Sequence, residues 1–183
     1  MNRIVSKMSK SLKNVVNPDD IVDEFGADSL RLYEMYMADF KDSAPWDSKW
    51  IIWVRRFLDK SERLFSSEPK ISTETDEFTE KLLHKTIKKV GWDIENYKFN
   101  TAIAALIILV NNGLPQDSTL QKEWKSTFVT LLNPFAPHLA EELNERMWTT
   151  SSLFKNTWPK YEESKTIDNT VIIGVQVLGK LRG

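Results

Sequence analysis

Residues 17–37 read NPDDIVDEFGADSLRLYEMYM, and the placing of proline, acids, glycine and apolar residues in this stretch decides the fold class. Pro18 suits the first position of a helix, because the N–H it lacks is one that a helix start leaves unused, and Asp19 and Asp20 complement the positive end of the helix dipole. Gly26 can end this short helix, and a second one starts near Asp28. In the second, Leu30, Leu32, Tyr33, Met35, Tyr36 and Met37 are apolar on more than one side, the pattern of a helix sandwiched between neighbours. Such a helix needs other helices to cover it, so the chain beyond it must supply them.

It does so repeatedly. After a break at Ser43–Pro45, the positions Trp50, Trp53, Val54, Phe57, Leu58, Ser61, Leu64 and Phe65 follow one helical stripe, with Arg55, Arg56, Asp59, Lys60, Glu62 and Arg63 on the opposite face. This phase assigns Trp50 and Trp53 to the core. The stretch Ser66–Thr75, with Pro69, has loop composition. Further amphipathic patterns link Phe78, Leu82, Ile87, Val90 and Ile94, then Phe99, Ala102, Ile103, Leu106, Ile107 and Val110, the last stopped by Asn112, Gly113 and Pro115. From Ser118, Leu120, Trp124, Phe128, Leu131 and Leu132 give another helix, and Pro137 opens a short one carrying Leu139, Leu143, Met147 and Trp148 to the core. The tail differs: Val171, Ile172, Ile173, Val175 and Val177 are β-branched and bounded by Thr170 and Gly179, a strand that needs a pairing partner. The expected fold is mainly α, a bundle of about five longer helices with short helices before it and a short β segment at the C-terminus.

Composition narrows the function. The 25 basic and 26 acidic residues leave a net charge of −1, so no whole-molecule field draws the protein to nucleic acid and any RNA contact must use a local patch. With no cysteine and only His84 and His138, a thiolate zinc cage, a disulfide and a cysteine nucleophile are excluded, and no metal site is expected. The longest apolar run, Ala102–Val110, is well short of the roughly 20 residues of a membrane span, and the amino terminus lacks a signal-peptide core, which fits a cytoplasmic protein without membrane contact. Neither a catalytic triad nor a Walker loop is present.

Upstream of the opening stretch, Met1–Asn17 carries Arg3, Lys7, Lys10 and Lys13 without an acid and without helical periodicity, so it reads as a basic loop. Lys7, Met8, Ser9, Lys10 and Ser11 spell KMSKS. This string resembles the signature loop of the class I aminoacyl-tRNA synthetases. The resemblance implies that the loop closes over ATP. As the amino acid carboxylate attacks the α-phosphate, charge gathers on departing pyrophosphate, and mobile ammonium groups can neutralise it. Lys10 is thereby implied in catalysis with Lys7 in support, Ser9 and Ser11 offer hydroxyls, and Met8 anchors the loop by packing. Magnesium is expected with the nucleotide.

The resemblance extends along nearly the whole chain. NVVNPDDIVDEFGADSLRLYEMYM, from Asn14 to Met37, is similar to the stem-contact region of the family and looks most like its leucyl branch, the methionyl, isoleucyl and valyl branches being the alternatives. HKTIKKV (His84–Val90), FNTAIAAL (Phe99–Leu106), NPFAPHLAEEL (Asn133–Leu143), the Trp158–Pro159 step and VQVLGKLRG (Val175–Gly183) resemble strings of the leucyl branch. Departures are Leu178 in place of asparagine, Leu12 and Lys13 in place of lysine and glycine, and Gly91–Trp92 in place of a more polar pair. Gly91 in mid-helix costs roughly 1 kcal/mol against alanine. The implied organisation is a KMSKS loop with stem-contact helices at 1–45, a helical tRNA-binding domain of the anticodon-binding type at 46–160, and a linker with the first strand of a further domain at 161–183. The implied reaction is activation of leucine with ATP and its transfer to tRNA(Leu), with no oligomer required. The chain holds no HIGH signature, nucleotide-binding sheet or editing insertion, so it corresponds to the carboxy-terminal part of such an enzyme and is expected not to aminoacylate alone.

Lys81, Lys85, Lys88 and Lys89 share one helical sector with His84 beside them. Read alone, the sector is a solvated face; within the resembled family it is a tRNA-backbone contact. A non-catalytic helical RNA-binding module is the competing reading, against which the intact KMSKS argues. The tryptophans Trp50, Trp53 and Trp124 are expected in the core rather than as base-stacking platforms. His138, in the first turn of its helix, is expected to cap or pack.

Overall fold

The computed structural model describes residues 7–147 and 151–167, together with the backbone at 176–177 and 180–181. Seven α-helices lie among the described residues: α1 (Pro18–Phe25), α2 (Ala27–Tyr36), α3 (Ser48–Arg63), α4 (Asp76–Glu95), α5 (Phe99–Asn112), α6 (Ser118–Leu132) and α7 (Pro137–Arg146). Most begin as their sequences dictate. The side chains of Asn17, Asp47, Thr75 and Asp117 accept hydrogen bonds from first-turn N–H groups of α1, α3, α4 and α6, satisfying donors that have no partner within the helix. Gly26, at φ +87°, ends α1 and starts α2.

One core runs through the helices. Leu32 and Tyr33 of α2 are buried together with Val54, Phe57 and Leu58 of α3, Ile87 and Val90 of α4, Ile103, Leu106 and Leu109 of α5, Trp124 and Phe128 of α6 and Leu143 of α7. Trp124 stacks on Phe128 with ring centroids 5.0 Å apart, and Phe65 approaches Phe128 from the end of α3. Helices α4 and α5 form the most extensive pair, a hairpin joined through Asn96–Lys98. The loop between α3 and α4 is tied down by pairing with the loop after α5: Ser72 N donates to the Leu114 carbonyl at 2.7 Å and Leu114 N to the Lys70 carbonyl at 2.9 Å. Gly113 makes that approach possible, since at φ +95° a Cβ there would lie 2.8 Å from the Lys70 oxygen.

The expectation that Trp50 and Trp53 lie in the core is corrected. Ile51 is fully buried, whereas Trp50 is 52% exposed and Trp53 67% exposed. Val54, Phe57, Leu58, Ser61 and Leu64 are buried as expected, and the difference lies in the first turn, where β-branched Ile51 fills the interior and both indoles stand at the surface. Trp124 is buried as expected. After α7 the chain turns back over the bundle. Leu153 is buried, its N–H donating to the Glu141 carboxylate at 3.0 Å, and residues 158–167 cross α4 as a strap ending in the 3₁₀ turn Glu163–Thr166. Of the expected β segment, Gln176–Val177 pair antiparallel with Lys180–Leu181, and residues 171–175 lie outside the described residues, as does Trp148.

Candidate functional site

The KMSKS string is described from Lys7. Its backbone folds into one tight turn, with Leu12 N donating to the Ser9 carbonyl and Lys13 N to the Lys10 carbonyl, each at 3.2 Å. Asn14 closes the base of this turn. Its Oδ1 accepts from Ser9 N at 2.8 Å, and its Nδ2 donates to the Lys7 carbonyl at 3.3 Å. The hydroxyls of Ser9 and Ser11 share a hydrogen bond of 3.1 Å. Lys7 and Lys10 are exposed, and among the described residues neither ammonium has an acid or hydrogen-bond partner. Two uncommitted cations therefore sit on a small loop whose internal bonds all involve serine, asparagine or backbone groups. Met8 is 41% exposed and outside the core of the described residues, and the Asn14 bonds shape the turn.

This loop leads into α1 and α2, and a joint spanning more than a hundred residues fixes α2 to the bundle. Asp28 is almost fully buried at the N-terminus of α7, where its carboxylate accepts from Leu139 N at 2.8 Å, from His138 N at 3.4 Å and meets His138 Nδ1 at 2.8 Å. Arg31 donates to the Pro134 carbonyl at 2.9 Å. The GADSLR string of α2 and the NPFAPH string before α7 are thus two halves of one contact. Asp28 caps a helix that has no side-chain cap of its own. The His138 ring is 75% exposed, so it does not pack in the joint but meets Asp28 from the rim through Nδ1.

The lysine sector of α4 is brought together but largely neutralised. Lys81 pairs with Glu77 at 2.8 Å, Lys89 with the buried Asp93 at 2.8 Å, and Lys88 with Glu163 of the strap at 2.5 Å while lying 5.6 Å from the centre of the Tyr161 ring. The Glu163 carboxylate holds the Lys88 ammonium above its usual range, and Lys88 holds Glu163 below the usual carboxylate range. His84 is buried under the strap, its Nδ1 accepting from Glu162 N at 3.2 Å, so its role is structural. Beside the strap lies a groove of about 850 Å³ lined by Lys85, Lys88, Lys89, Trp92, Trp158 and Lys160 among others. The strap passes close over the helix at Gly91, where a Cβ would lie 3.2 Å from Trp158 Nε1. Among the described residues no cluster of three or more metal-ligating side chains exists, and no helix is long and apolar enough to cross a membrane.

An exposed KMSKS turn leads through two short helices into a helical body, and the class of protein with this sequence is the tRNA ligases. Residues 4–47 match the family model for tRNA synthetases class I (I, L, M and V), and residues 76–183 match that for the anticodon-binding domain of tRNA ligase. The chain belongs to this anticodon-binding family. Within the ligases its similarity is to those for leucine: it is 47% identical over all 183 residues to the leucine–tRNA ligase of Borrelia hermsii and 48% identical to that of Borrelia turicatae. It is also 47% identical over 180 residues to the enzyme of Alkaliphilus oremlandii. The chain spans about a fifth, 22%, of the length of each of these curated relatives. Its fold is similar to that of a LeuRS from Agrobacterium radiobacter K84 solved as a ternary LeuRS–tRNA–LeuAMS complex, with a TM-score of 0.72 and 31% identity over 97% of this chain and 25% of that one.

Proposed function

We propose that this chain supplies the nucleotide loop and the tRNA-holding helical body of a cytoplasmic leucine–tRNA ligase, which activates leucine with ATP and transfers it to tRNA(Leu). The observation that carries this reading is the similarity to leucine–tRNA ligases along the entire chain, with KMSKS intact on an exposed turn. Lys10, supported by Lys7, follows the charge that moves onto pyrophosphate as the leucine carboxylate attacks the α-phosphate of ATP. Lysine suits this task because its charge is compact and its stem flexible. Ser9 and Ser11 shape the loop and offer hydroxyls to the phosphates, and magnesium bound with the nucleotide lowers its charge. Residues 1–45 form the end of the catalytic unit and 46–160 the tRNA-binding unit, while 161–183 lead into a further domain. Lys81, Lys85, Lys88 and Lys89 contact the tRNA backbone, and no oligomer is required.

The test uses the ligase that carries this sequence. Lys10→Ala lowers leucine-dependent exchange between ATP and pyrophosphate by about a hundredfold or more, mostly in kcat, because the lost interaction belongs to the transition state. Unchanged exchange in this variant removes the assignment. The 183-residue chain alone is expected to show no leucine-dependent exchange.

A further inference from the structure

The Asn14 side chain reaches both halves of the KMSKS segment. Its carboxamide donates to the Lys7 carbonyl at 3.3 Å and accepts from Ser9 N at 2.8 Å, the two peptide groups that flank Met8. A primary amide carries donor and acceptor in one plane, so it meets the N–H and C=O of a stretch of main chain as a neighbouring strand would. Beyond Ser9 the chain makes the turn closed by Leu12 N on the Ser9 carbonyl and Lys13 N on the Lys10 carbonyl. Lys7 thus lies on one side of the amide clamp and Lys10 on the other.

The turn does not hold itself without cost. Lys13, whose N–H closes it, has φ +51°, a left-handed conformation in which a Cβ crowds the backbone. Asn14 follows it directly, so the bonds that Asn14 makes also keep Lys13 in place. These bonds do little for the fold as a whole. Lys7, Lys10 and Asn14 are exposed, none belongs to the core, and the first helix starts only at Pro18. Hydrogen bonds on an exposed loop replace bonds to water and add little net stability. What the clamp does fix is the bearing of two cations, and its use lies in what those cations do.

We propose that Asn14 is a positioning residue for leucine activation: its carboxamide holds Lys7 and Lys10 at one spacing and bearing, so that both ammonium groups arrive together at the charge gathering on pyrophosphate. This role deepens, and rests on, the reading of the two lysines given above. Asn14 acts through the lysines rather than on the nucleotide. Freed from the clamp, the main chain at Lys7 rotates about Met8 independently of the turn that carries Lys10. The two cations must then be ordered anew in each transition state, a cost that falls on kcat.

The experiment uses the ligase that carries this sequence and follows leucine-dependent exchange between ATP and pyrophosphate in a double-mutant cycle of Asn14→Ala with Lys10→Ala. Asn14→Ala alone lowers kcat about tenfold or more, while KM for leucine and the melting temperature stay unchanged. In the Lys10→Ala background the same change costs much less, because the main group it positions is already gone. Asn14→Gln, with the same amide on a longer arm, retains more of the rate than Asn14→Ala. Asn14→Asp, which keeps an acceptor for Ser9 N but offers the Lys7 carbonyl no donor, falls with alanine, and full activity in this variant overturns the clamp. If Lys10→Ala impairs exchange while Asn14→Ala does not, the positioning role is overturned and the reading of the lysines stands. An Asn14→Ala penalty of the same size with and without Lys10 overturns it as well, since the residue then acts independently of Lys10. If Lys10→Ala leaves exchange unchanged, the reading of the loop falls first and the role of Asn14 falls with it.

Discussion

Asp28 shows what one side chain does in this fold. It lies buried on α2, and its carboxylate serves the N–H groups that begin α7, so its replacement by alanine strands those donors away from water as well as removing the cap. Asp28→Ala is expected to cost about 1–3 kcal/mol in urea unfolding. Asp28→Asn, which keeps one acceptor oxygen, should cost less. Gly91 is the opposite case. Alanine there gains up to about 1 kcal/mol of helix propensity, and Trp158, 40% exposed at the strap, is free to give way by the few tenths of an ångström needed. Gly91→Ala is therefore expected to raise the urea midpoint while shifting the Trp158 indole resonance in NMR spectra. Neither role was legible from sequence. Asp28 read only as the start of a helix, because periodicity is silent about partners 110 residues away, and Gly91 read as a bare cost. Trp50 and Trp53 differ from their expected place although Val54, Phe57, Leu58, Ser61 and Leu64 are buried as the spacing predicts: Ile51, three and seven residues before Val54 and Leu58, continues the same buried face in the first turn, and both indoles stand outside it.

At the scale of elements, the boundaries were legible wherever a residue type has one physical use. Pro18 and Pro137 open helices, Gly26 and Gly113 end them, and Ser118 starts α6 as expected. What composition could not reveal is the strap, because residues 158–167 have neither period nor a run of apolar residues and are held by charge. Lys165 bridges Glu80 at 2.8 Å and Glu162 at 2.9 Å, and Lys88 holds Glu163. Glu162 and Glu163 are both held below the usual carboxylate range, through Lys165 and Lys88 respectively. A carboxylate depressed in the folded state contributes fully above its unfolded pKa, about 4.3, and the contribution disappears as pH falls through the depressed value. Lys88 and Lys165 are raised, so their side of the pairing persists through neutral pH and is lost only above the usual lysine range. The strap is expected to loosen in acid before the bundle unfolds. The Trp158 indole resonance should move as pH drops below about 4 while the resonances of buried Trp124 stay in place, and Glu162→Gln with Glu163→Gln should reproduce the shift at neutral pH. A Trp158 signal that moves only together with Trp124 would show that apolar packing, not charge, holds the strap.

For the whole molecule the deciding quantity is its near-zero net charge. With 25 basic and 26 acidic residues, the long-range field neither attracts nor repels a polyanion, so affinity for tRNA comes from whichever cations are free to leave their acids. The sequence displayed the α4 sector as four lysines, but the folded chain spends Lys81, Lys88 and Lys89 on Glu77, Glu163 and Asp93, partners of which two lie on the same helix and one arrives with the strap. Each phosphate neutralised contributes a slope of about −0.9 to the dependence of log affinity on log salt for a duplex, so four fully free lysines would give about −3.6. The paired sector should give a shallower slope, since a lysine that exchanges a carboxylate for a phosphate gains little net charge separation. Glu163→Gln releases Lys88 and is expected to tighten tRNA binding at low salt and steepen the slope by about one unit, read by filter binding of the chain across a salt series. The strap would then act as a counter-ion built into the fold, competing with RNA for the same ammonium. A slope that is unchanged in Glu163→Gln would mean that RNA does not approach Lys88, and would leave the backbone contact to Lys85 and its neighbours on α4.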